Sequence, residues 1–512
     1  MNLPRWPKFG GLITIFISNL RLSAKRLIRN SRSGDKHAGC SVEGYGMYSL
    51  TRRGFLTAGG ALPLAIGGLS RLRAAEEVDQ RVVELDLTAQ QDWVRLGNRD
   101  AYAYAFNGLV PGPAIEARPG DRLLIHFHNG LVEPSNLHYH GLHVPSTGSA
   151  DNAMLSVPPG ESFSYQIDIP STHPGGIFWY HPHVHEFAAR QVSRGLAGAL
   201  IVRGDLDQIP EIAAAPEQII VLQDFALDRG GVPTEPGIME KMAGRKGDLV
   251  TINGRINPTI LIQRGGWIRL RFLNASSSRF YRLGLEEHSF HVIATDGGAL
   301  AAPEEQAEIL LAPGERVDAM VEATRPDASY RLINLPYRRV TGMGGGPTTS
   351  APMVLATLTY RGTADQTWNL PQQLVSVDPL PGPSILRTFQ LGSGMGMGVM
   401  AGGGMTFAIN GRTFNPDRVD TRVRLNAVED WEFVNPSTMD HPMHIHTNPF
   451  QVIGSDGAPI RAWKDVVVVP ARSRVRVRTA FRDFVGRTMY HCHILDHEDL
   501  GMMGVLEIQG NS

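Results

Sequence analysis

Short runs with apolar residues at every second position fill most of this chain. In residues 122–129, for example, Leu123, Ile125 and Phe127 recur with that spacing. A period of two is typical of β-strands, whose successive side chains point to opposite faces. The chain also holds 56 glycines and 34 prolines, which favours many short strands joined by turns over long helices. The pattern therefore predicts an all-β protein.

A threefold repeat organises these runs. Each copy has an Asn-Gly turn, then a strand that ends in asparagine, then a Pro-Gly-Glu turn or a relative of it. The first turns begin at Asn107, Asn253 and Asn410, the strands end at Asn129, Asn274 and Asn435, and the later turns occupy residues 159–161, 313–315 and 470–472. A period of roughly 150 residues indicates repeated domains rather than a solenoid. We predict three β-sandwich domains, over residues 76–205, 206–365 and 385–512.

Residues 1–75 differ from the rest of the chain, with 12 basic and 2 acidic residues. Residues 51–56 (Thr-Arg-Arg-Gly-Phe-Leu) resemble a twin-arginine export signal, and the apolar run behind them is too short to span a membrane. Small residues after that run indicate cleavage near Ala74 or Ala75, so the mature chain is expected to begin near Glu76. We expect the twin-arginine machinery to export the protein to the periplasm, with no stable membrane span after processing. An uncleaved N-terminal anchor is the alternative, and the initiator is Met1 or Met47.

The remaining chain is acidic and has a single thiol. The whole chain has 49 basic and 50 acidic residues, so removing residues 1–75 leaves 37 basic and 48 acidic ones. This balance argues against a nucleic-acid partner. Of the two cysteines, Cys40 lies in the segment expected to be removed and Cys492 remains. A lone thiol cannot form an internal disulfide, and metal binding gives a reason for it.

The candidate chemistry is concentrated at residues 491–503. A strand over residues 487–490 runs into His491-Cys492-His493, so the two imidazoles should point to one face and the thiol to the other. Thiolate and imidazole are ligands that copper prefers. His497 and Met502 follow, close enough to fold back towards the thiol. This indicates one copper site at Cys492 and a second metal centre on the opposite face, joined through the backbone.

Further histidine pairs supply the second centre. Two short His-x-His strands in the first domain and two in the third would meet if these domains pack edge to edge. They would bring together eight imidazoles, those of His138, His140, His181, His183, His444, His446, His491 and His493. Eight neutral nitrogen ligands suit a cluster of three copper ions. His441 is left over and can turn towards Cys492 and His497.

These four motifs together resemble the multicopper oxidase family, over essentially all of residues 76–512. The resemblance implies three cupredoxin domains and four copper ions, with O₂ and a small reducing substrate as partners. It assigns the type 1 copper to His441, Cys492, His497 and Met502, the type 2 copper to His138 and His444, and the type 3 pair to His140, His181, His183, His446, His491 and His493. In the middle repeat, His288 and His291 align with Asn448 and Gln451, which are not ligand positions. That domain is therefore expected to lack copper ligands and to act as a spacer.

Two acids are candidates for carrying protons to the oxygen site. Glu498 directly follows His497, and Asp151 lies shortly after the first histidine pair. In related bacterial oxidases, acids at these places feed protons to oxygen. We expect a proton relay through both, because a carboxylate in a positioned hydrogen-bond chain can act as a proton donor.

The reducing substrate is less defined. A Gly-rich stretch, residues 394–405, contains Met395, Met397, Met400 and Met405, and thioethers favour Cu(I). We expect either Cu(I), with a role in copper tolerance, or phenols and aromatic amines as in laccases. Mn(II) oxidation, nitrite reduction and a non-catalytic periplasmic copper-binding role are the alternatives; nitrite reductases of related fold normally have two such domains per chain.

Overall fold

The computed structural model describes residues 80–340, 347–349, 351–395 and 405–510. Strands dominate it, so the all-β prediction is confirmed. In these residues no helix has the length and apolar character needed to cross a membrane. Three groups of sheets follow one another along the chain.

The first group consists of two four-stranded sheets. Its elements are β1 (Val82–Leu96), β2 (Arg99–Phe106), β3 (Ile115–Ala117), β4 (Arg122–Asn129), β5 (His138–His140), β6 (Ser162–Asp168), β7 (Gly176–His181), α1 (Ala188–Ser193) and β8 (Gly198–Val202). The sheet orders are β2-β1-β4-β6 and β3-β8-β7-β5. In β4 the alternate side chains Leu123, Ile125 and Phe127 are buried in one apolar cluster, as their spacing predicts.

The second group pairs a six-stranded sheet with a five-stranded one. Its elements are a 3₁₀ helix (Asp205–Gln208), α2 (Pro210–Ala214), β9 (Glu217–Phe225), α3 (Ile238–Ala243), β10 (Leu249–Ile252), β11 (Thr259–Arg264), β12 (Trp267–Asn274), β13 (Tyr281–Leu285), β14 (Phe290–Thr295), β15 (Gly298–Gln306), β16 (Glu308–Leu311), β17 (Arg316–Glu322), β18 (Ser329–Leu335), β19 (Arg338–Val340), β20 (Pro347–Thr349) and β21 (Met353–Thr363). The sheet orders are β10-β9-β12-β17-β14-β15 and β11-β21-β18-β13-β16, with β19 and β20 as a separate hairpin. An apolar core lies between the two larger sheets.

The third group consists of two five-stranded sheets. Its elements are β22 (Ile385–Met395), β23 (Met405–Ile409), β24 (Thr421–Arg424), β25 (Val428–Asn435), β26 (His441–Ile445), β27 (Phe450–Val452), β28 (Val466–Val469), β29 (Ser473–Ala480), β30 (Gly486–Cys492), α4 (Leu495–Asp499) and β31 (Met503–Gln509). The sheet orders are β23-β22-β25-β29-β27 and β24-β31-β30-β26-β28. The second of these sheets contains the Cys492 strand.

One asparagine turn recurs in all three groups and shows that the sequence repeat is structural. Asn129, Asn274 and Asn435 each end a strand, and each accepts a hydrogen bond at Oδ1 from the backbone N–H two residues on. The amides of Asn129 and Asn274 each donate to two backbone carbonyls across the turn, and the amide of Asn435 donates to three. The same side chain therefore closes the same loop three times, because buried backbone carbonyls need a donor there.

Candidate metal centre

The structure brings the eight predicted cluster histidines together in one buried site, which we call the eight-histidine cluster. All eight side chains are at most 1% exposed. His491 Nε2 lies 3.1 Å from His183 Nε2 and 3.0 Å from His446 Nε2. His493 Nε2 lies 3.3 Å from His140 Nδ1. Residues more than 300 positions apart thus converge, with members from the first and third sheet groups.

Strand register explains how short motifs deliver paired imidazoles. In the first group His138 of β5 is paired with His181 of β7. In the third group His444 of β26 is paired with His491 of β30. Because side chains directly opposite on neighbouring antiparallel strands share a face, each pairing doubles the number of imidazoles presented at one edge.

Hydrogen bonds fix which nitrogen of three imidazoles faces the cluster. His138 Nδ1 donates to Asp151 Oδ1 at 2.9 Å, and His181 Nδ1 donates to the carbonyl of the next residue, Pro182, at 3.0 Å. His444 Nδ1 donates to the Asp465 carbonyl at 2.8 Å. Their Nε2 atoms are buried and have no hydrogen-bond partner. A neutral imidazole that donates from one nitrogen carries a lone pair on the other. Buried, unpartnered lone pairs that face one another fit a metal site.

Burial also keeps the cluster in the form that binds metal. It lowers the pKa of most of the imidazoles, and neighbouring histidines lower it further in His140, His181, His444, His446 and His493. Burial likewise lowers the pKa of His183 to about 3. These rings are therefore neutral near pH 7, and neutral imidazole is the ligand form.

Within the cluster, three sets of three histidines have one nitrogen each within 4.8 Å of the others. They are His138 with His140 and His181, His138 with His444 and His446, and His183 with His446 and His491. Short His-to-metal bonds place ligand nitrogens at such mutual separations. The donor set is almost purely imidazole, which suits copper.

A second site surrounds Cys492 on the opposite face of β30. Its Sγ lies 3.5 Å from His441 Nδ1 and 3.7 Å from His497 Nδ1, and all three side chains are buried. Met502 is buried in the same apolar cluster, and its carbonyl accepts the Cys492 N–H at 3.0 Å. A thiolate with two imidazoles is the equatorial set of a blue-copper site.

His441 and His497, the two histidine candidates for the type 1 copper, also have a hydrogen-bond partner at Nε2. His497 donates from Nε2 to the Met242 carbonyl of α3 at 3.1 Å, and His441 Nε2 lies 3.1 Å from Ser437 Oγ. Phe407 of β23 stacks on the His497 ring with centroids 3.8 Å apart. These contacts turn both Nδ1 atoms towards the sulfur.

The two predicted proton carriers are both fully buried. Glu498 Oε2 lies 3.0 Å from His491 Nδ1. The two atoms do not form a hydrogen bond, because the His491 Nδ1–H points to the Cys492 carbonyl, and neither carboxylate oxygen of Glu498 has a hydrogen-bond partner. Burial raises the pKa of Glu498, while His183 and His491 lower it more strongly, to about 2. Asp151 accepts from His138 Nδ1 and from the Tyr139 N–H. It is therefore placed to orient a cluster histidine.

The predicted methionine loop is only partly described. The backbones of Met395 and Met405 pair across the β22–β23 hairpin, whereas Met397 and Met400 lie outside the described residues. The same β23 carries Phe407, which stacks on His497. The strand that follows this stretch in the sequence therefore contacts a type 1 candidate.

Three residues that contact the two sites are not among the predicted site residues. Met242 and Arg316 belong to the middle repeat, and Asp465 precedes β28. Arg316 had a usable signal, since the outer repeats have serine at the position after the same turn. Asp465 and the Met242 carbonyl had none, because neither belongs to a motif.

The middle repeat thus does more than separate the outer two. In this repeat His288 contacts Tyr360 and His291 contacts Trp267. Neither histidine lies in any of the histidine sets described above.

Comparison with known proteins agrees with the site. Models of the multicopper oxidase family match residues 88–207, 224–363 and 388–512. A Campylobacter jejuni multicopper oxidase, described as a metallo-oxidase, has a similar structure with a TM-score of 0.74 and 31% identity, covering 85% of this chain and 93% of that one.

Two relatives extend the comparison in sequence. Multicopper oxidase mco of Staphylococcus aureus is 29% identical over 79% of this chain and 83% of its own length. The cell division protein FtsP of Xenorhabdus nematophila is 30% identical over 90% of this chain and 99% of its own.

Fold and site together define a copper-binding protein of cupredoxin-like β-sandwich architecture. The chain belongs to the multicopper oxidase family, and this membership supports an oxidoreductase.

Proposed function

We propose that this protein couples one-electron oxidation of a reducing substrate to four-electron reduction of O₂ to water. His441, Cys492, His497 and Met502 would hold a type 1 copper. The eight-histidine cluster would hold three more, with His138 and His444 on the type 2 ion and the other six histidines on the type 3 pair. Bound copper would supply the redox chemistry of both sites.

One observation carries this proposal. Cys492 contacts the type 1 candidates on one face of β30, while its neighbours His491 and His493 join the eight-histidine cluster on the other. One peptide unit therefore separates a single-electron site from a multi-metal site. That arrangement suits a reaction in which substrates give electrons singly and O₂ takes four.

The protein side chains would have distinct tasks. Burial of the eight-histidine cluster excludes bulk water, and Asp151 and Asp465 orient ligand imidazoles from outside. Glu498 is the carboxylate placed near His183 and His491 to accept a proton and pass it on during turnover. A buried carboxylate this close to two cluster imidazoles can act as a proton carrier, because a proton has only a short distance to move between them.

We also propose the maturation and organisation of the chain from its sequence. Residues 1–75 would be removed after twin-arginine export to the periplasm. The mature protein would then consist of cupredoxin domains over residues 76–205, 206–365 and 385–512. The three family matches and the three sheet groups support this division.

For the substrate, we favour Cu(I) in copper tolerance, with laccase-type oxidation of phenols and aromatic amines as a second activity. In the sequence, the methionine-rich stretch lies between β22 and β23, and Phe407 of β23 stacks on His497. In addition Met239, 58% exposed, lies in α3, the helix whose Met242 carbonyl accepts from His497. A soft thioether exposed on this helix favours Cu(I) as the substrate.

Oxygen consumption by the copper-loaded protein tests the activity. With Cu(I) or a phenol as reductant, we expect O₂ uptake without peroxide accumulation. Cys492→Ser should abolish uptake with both reductants, while Met443→Leu, a volume-conserving change opposite Cys492 in β26, should keep it. A copper-loaded wild type that takes up no O₂ with either reductant refutes the oxidase.

A paired rate measurement tests the substrate. In Met397→Leu/Met400→Leu, the Cu(I) rate should fall while the phenol rate is unchanged. Equal effects on both rates would contradict a copper-specific loop. Uptake with Mn(II) alone would instead favour a Mn(II) oxidase.

The similarity to FtsP supports a second candidate, a non-catalytic copper-binding protein with a role in cell division. A blue protein that never consumes O₂, and whose loss changes division, would be that protein. Retention of the thiol and ten ligand histidines in two converging sites favours the oxidase.

A further inference from the structure

Arg316 is a fully buried guanidinium that the middle repeat inserts beside the eight-histidine cluster. It begins β17, directly after the Pro-Gly-Glu turn. Its Nε donates to the Ile177 carbonyl at 3.1 Å. One terminal nitrogen donates to the Gly314 carbonyl at 3.1 Å and to Asp465 Oδ1 at 2.6 Å. The other terminal nitrogen donates to the Asp296 carbonyl at 2.8 Å and to Asp465 Oδ2 at 2.6 Å. All five guanidinium donors are thus used. The side chain joins all three sheet groups at one point.

Asp465 passes this constraint to two cluster histidines. Its Oδ1 accepts from His140 Nε2 at 3.0 Å, and its backbone carbonyl accepts from His444 Nδ1 at 2.8 Å. The bond from His140 leaves Nδ1 as the lone-pair atom, and that atom faces His493. The bond from His444 leaves Nε2, which is buried and unpartnered. One residue therefore sets the tautomers of a type 2 and a type 3 candidate.

We propose that Arg316 is a positioning residue of the three-copper site, which acts by clamping the Asp465 carboxylate and so fixes the orientation and tautomer of His140. This inference rests on the proposed function, because it requires the eight-histidine cluster to bind copper. It gives the middle repeat, which contributes no predicted copper ligand, a direct part in building the site.

The geometry leaves little tolerance for another residue. A Cβ on Gly141 would lie 2.3 Å from an Arg316 terminal nitrogen and 2.7 Å from Asp465 Oδ2, so the clamp is closely packed on that side. Lysine offers a point charge with three donors and cannot form the two parallel bonds of the guanidinium. Asparagine at 465 would also break the clamp, because its NH₂ would face a terminal nitrogen of Arg316 in either orientation, and in one of the two it would face His140 Nε2 as well.

The test compares Arg316→Lys and Asp465→Asn with Arg269→Lys as a matched control. Arg269 is also buried in the middle repeat and also clamps a carboxylate, that of Asp318, but has no histidine partner. Each protein is reconstituted with Cu(II), and copper per chain is measured against a competing chelator. The visible thiolate-to-copper band and the type 2 electron paramagnetic resonance signal report the two sites separately.

We expect Arg316→Lys and Asp465→Asn to keep the blue band while the cluster loses about 10- to 100-fold in copper affinity, the usual cost of removing a partner that orients a metal ligand. Arg269→Lys should change neither readout. If Arg316→Lys does not fold, the nearly isosteric Asp465→Asn decides.

Two results would overturn the inference. The first is unchanged cluster affinity in Asp465→Asn and Arg316→Lys. The second is parallel loss of both sites in these variants and in Arg269→Lys, which would indicate general destabilisation. Failure of the wild type itself to bind copper in the cluster would refute the proposed function together with this inference, whereas a normal wild type with insensitive variants refutes the inference alone.

Discussion

Metal-free protein should be unusually sensitive to mild acid, because removing copper leaves buried neutral imidazoles that must stay unprotonated. Six members of the eight-histidine cluster have a pKa lowered by burial. In the unfolded chain their pKa returns to about 6.5. A group whose pKa is depressed by folding stabilises the fold above the unfolded pKa and loses that stabilisation as pH falls towards the folded pKa.

The structure sets the size of this effect. Below about pH 6.5, each such imidazole costs about 1.4 kcal/mol of unfolding free energy per pH unit. Six acting together cost at most about 8 kcal/mol per unit, and neighbouring charges that titrate together reduce this figure. Since proteins are typically stable by about 5–15 kcal/mol, the metal-free protein should unfold or open between about pH 6 and pH 5.

Urea unfolding of the metal-free, processed protein at several pH values between about 5 and 8 measures the slope through tryptophan fluorescence. The copper-loaded protein is the control, and its transition should lie at lower pH because protons must compete with the metal. A metal-free slope of no more than about 1.4 kcal/mol per pH unit, the value for one imidazole, would refute the conclusion that the cluster is dry and neutral.

Three substitutions test single contacts. Met502→Leu should raise the type 1 potential, because the axial ligand tunes it; spectroelectrochemistry measures this, and an unchanged or lower potential contradicts the ligand assignment. Glu498→Gln should slow O₂ turnover and keep the blue band, and unchanged turnover would remove Glu498 from the proton path. Gly314→Ala adds a Cβ 2.9 Å from the His493 ring at a φ of +83°, so it should cost more than about 1 kcal/mol and reduce cluster copper. Gly160→Ala, at a φ of +78° with nothing within 4 Å of the added Cβ, is the matched control; equal losses of cluster copper in both variants would mean that backbone strain alone is responsible.

The sequence by itself determined the strands, the repeat and the split of His491-Cys492-His493 between two faces. These features follow from local geometry, because a period of two assigns every residue of a strand to a face. The same rule made each His-x-His pair point one way. The prediction that the pairs would meet needed only the further assumption that the outer repeats pack together, and the structure brings all eight imidazoles into one cluster.

Only the tertiary structure decided which nitrogen of each imidazole faces the metals. That choice depends on the acceptor behind the ring, and for His140 and His497 the acceptor lies far away in sequence. Asp465 is 325 residues from His140, Arg316 is 149 residues from Asp465, and Met242 is 255 residues from His497. No periodicity or motif encodes such partners, because a single hydrogen bond needs one atom in one place and leaves no pattern along the chain.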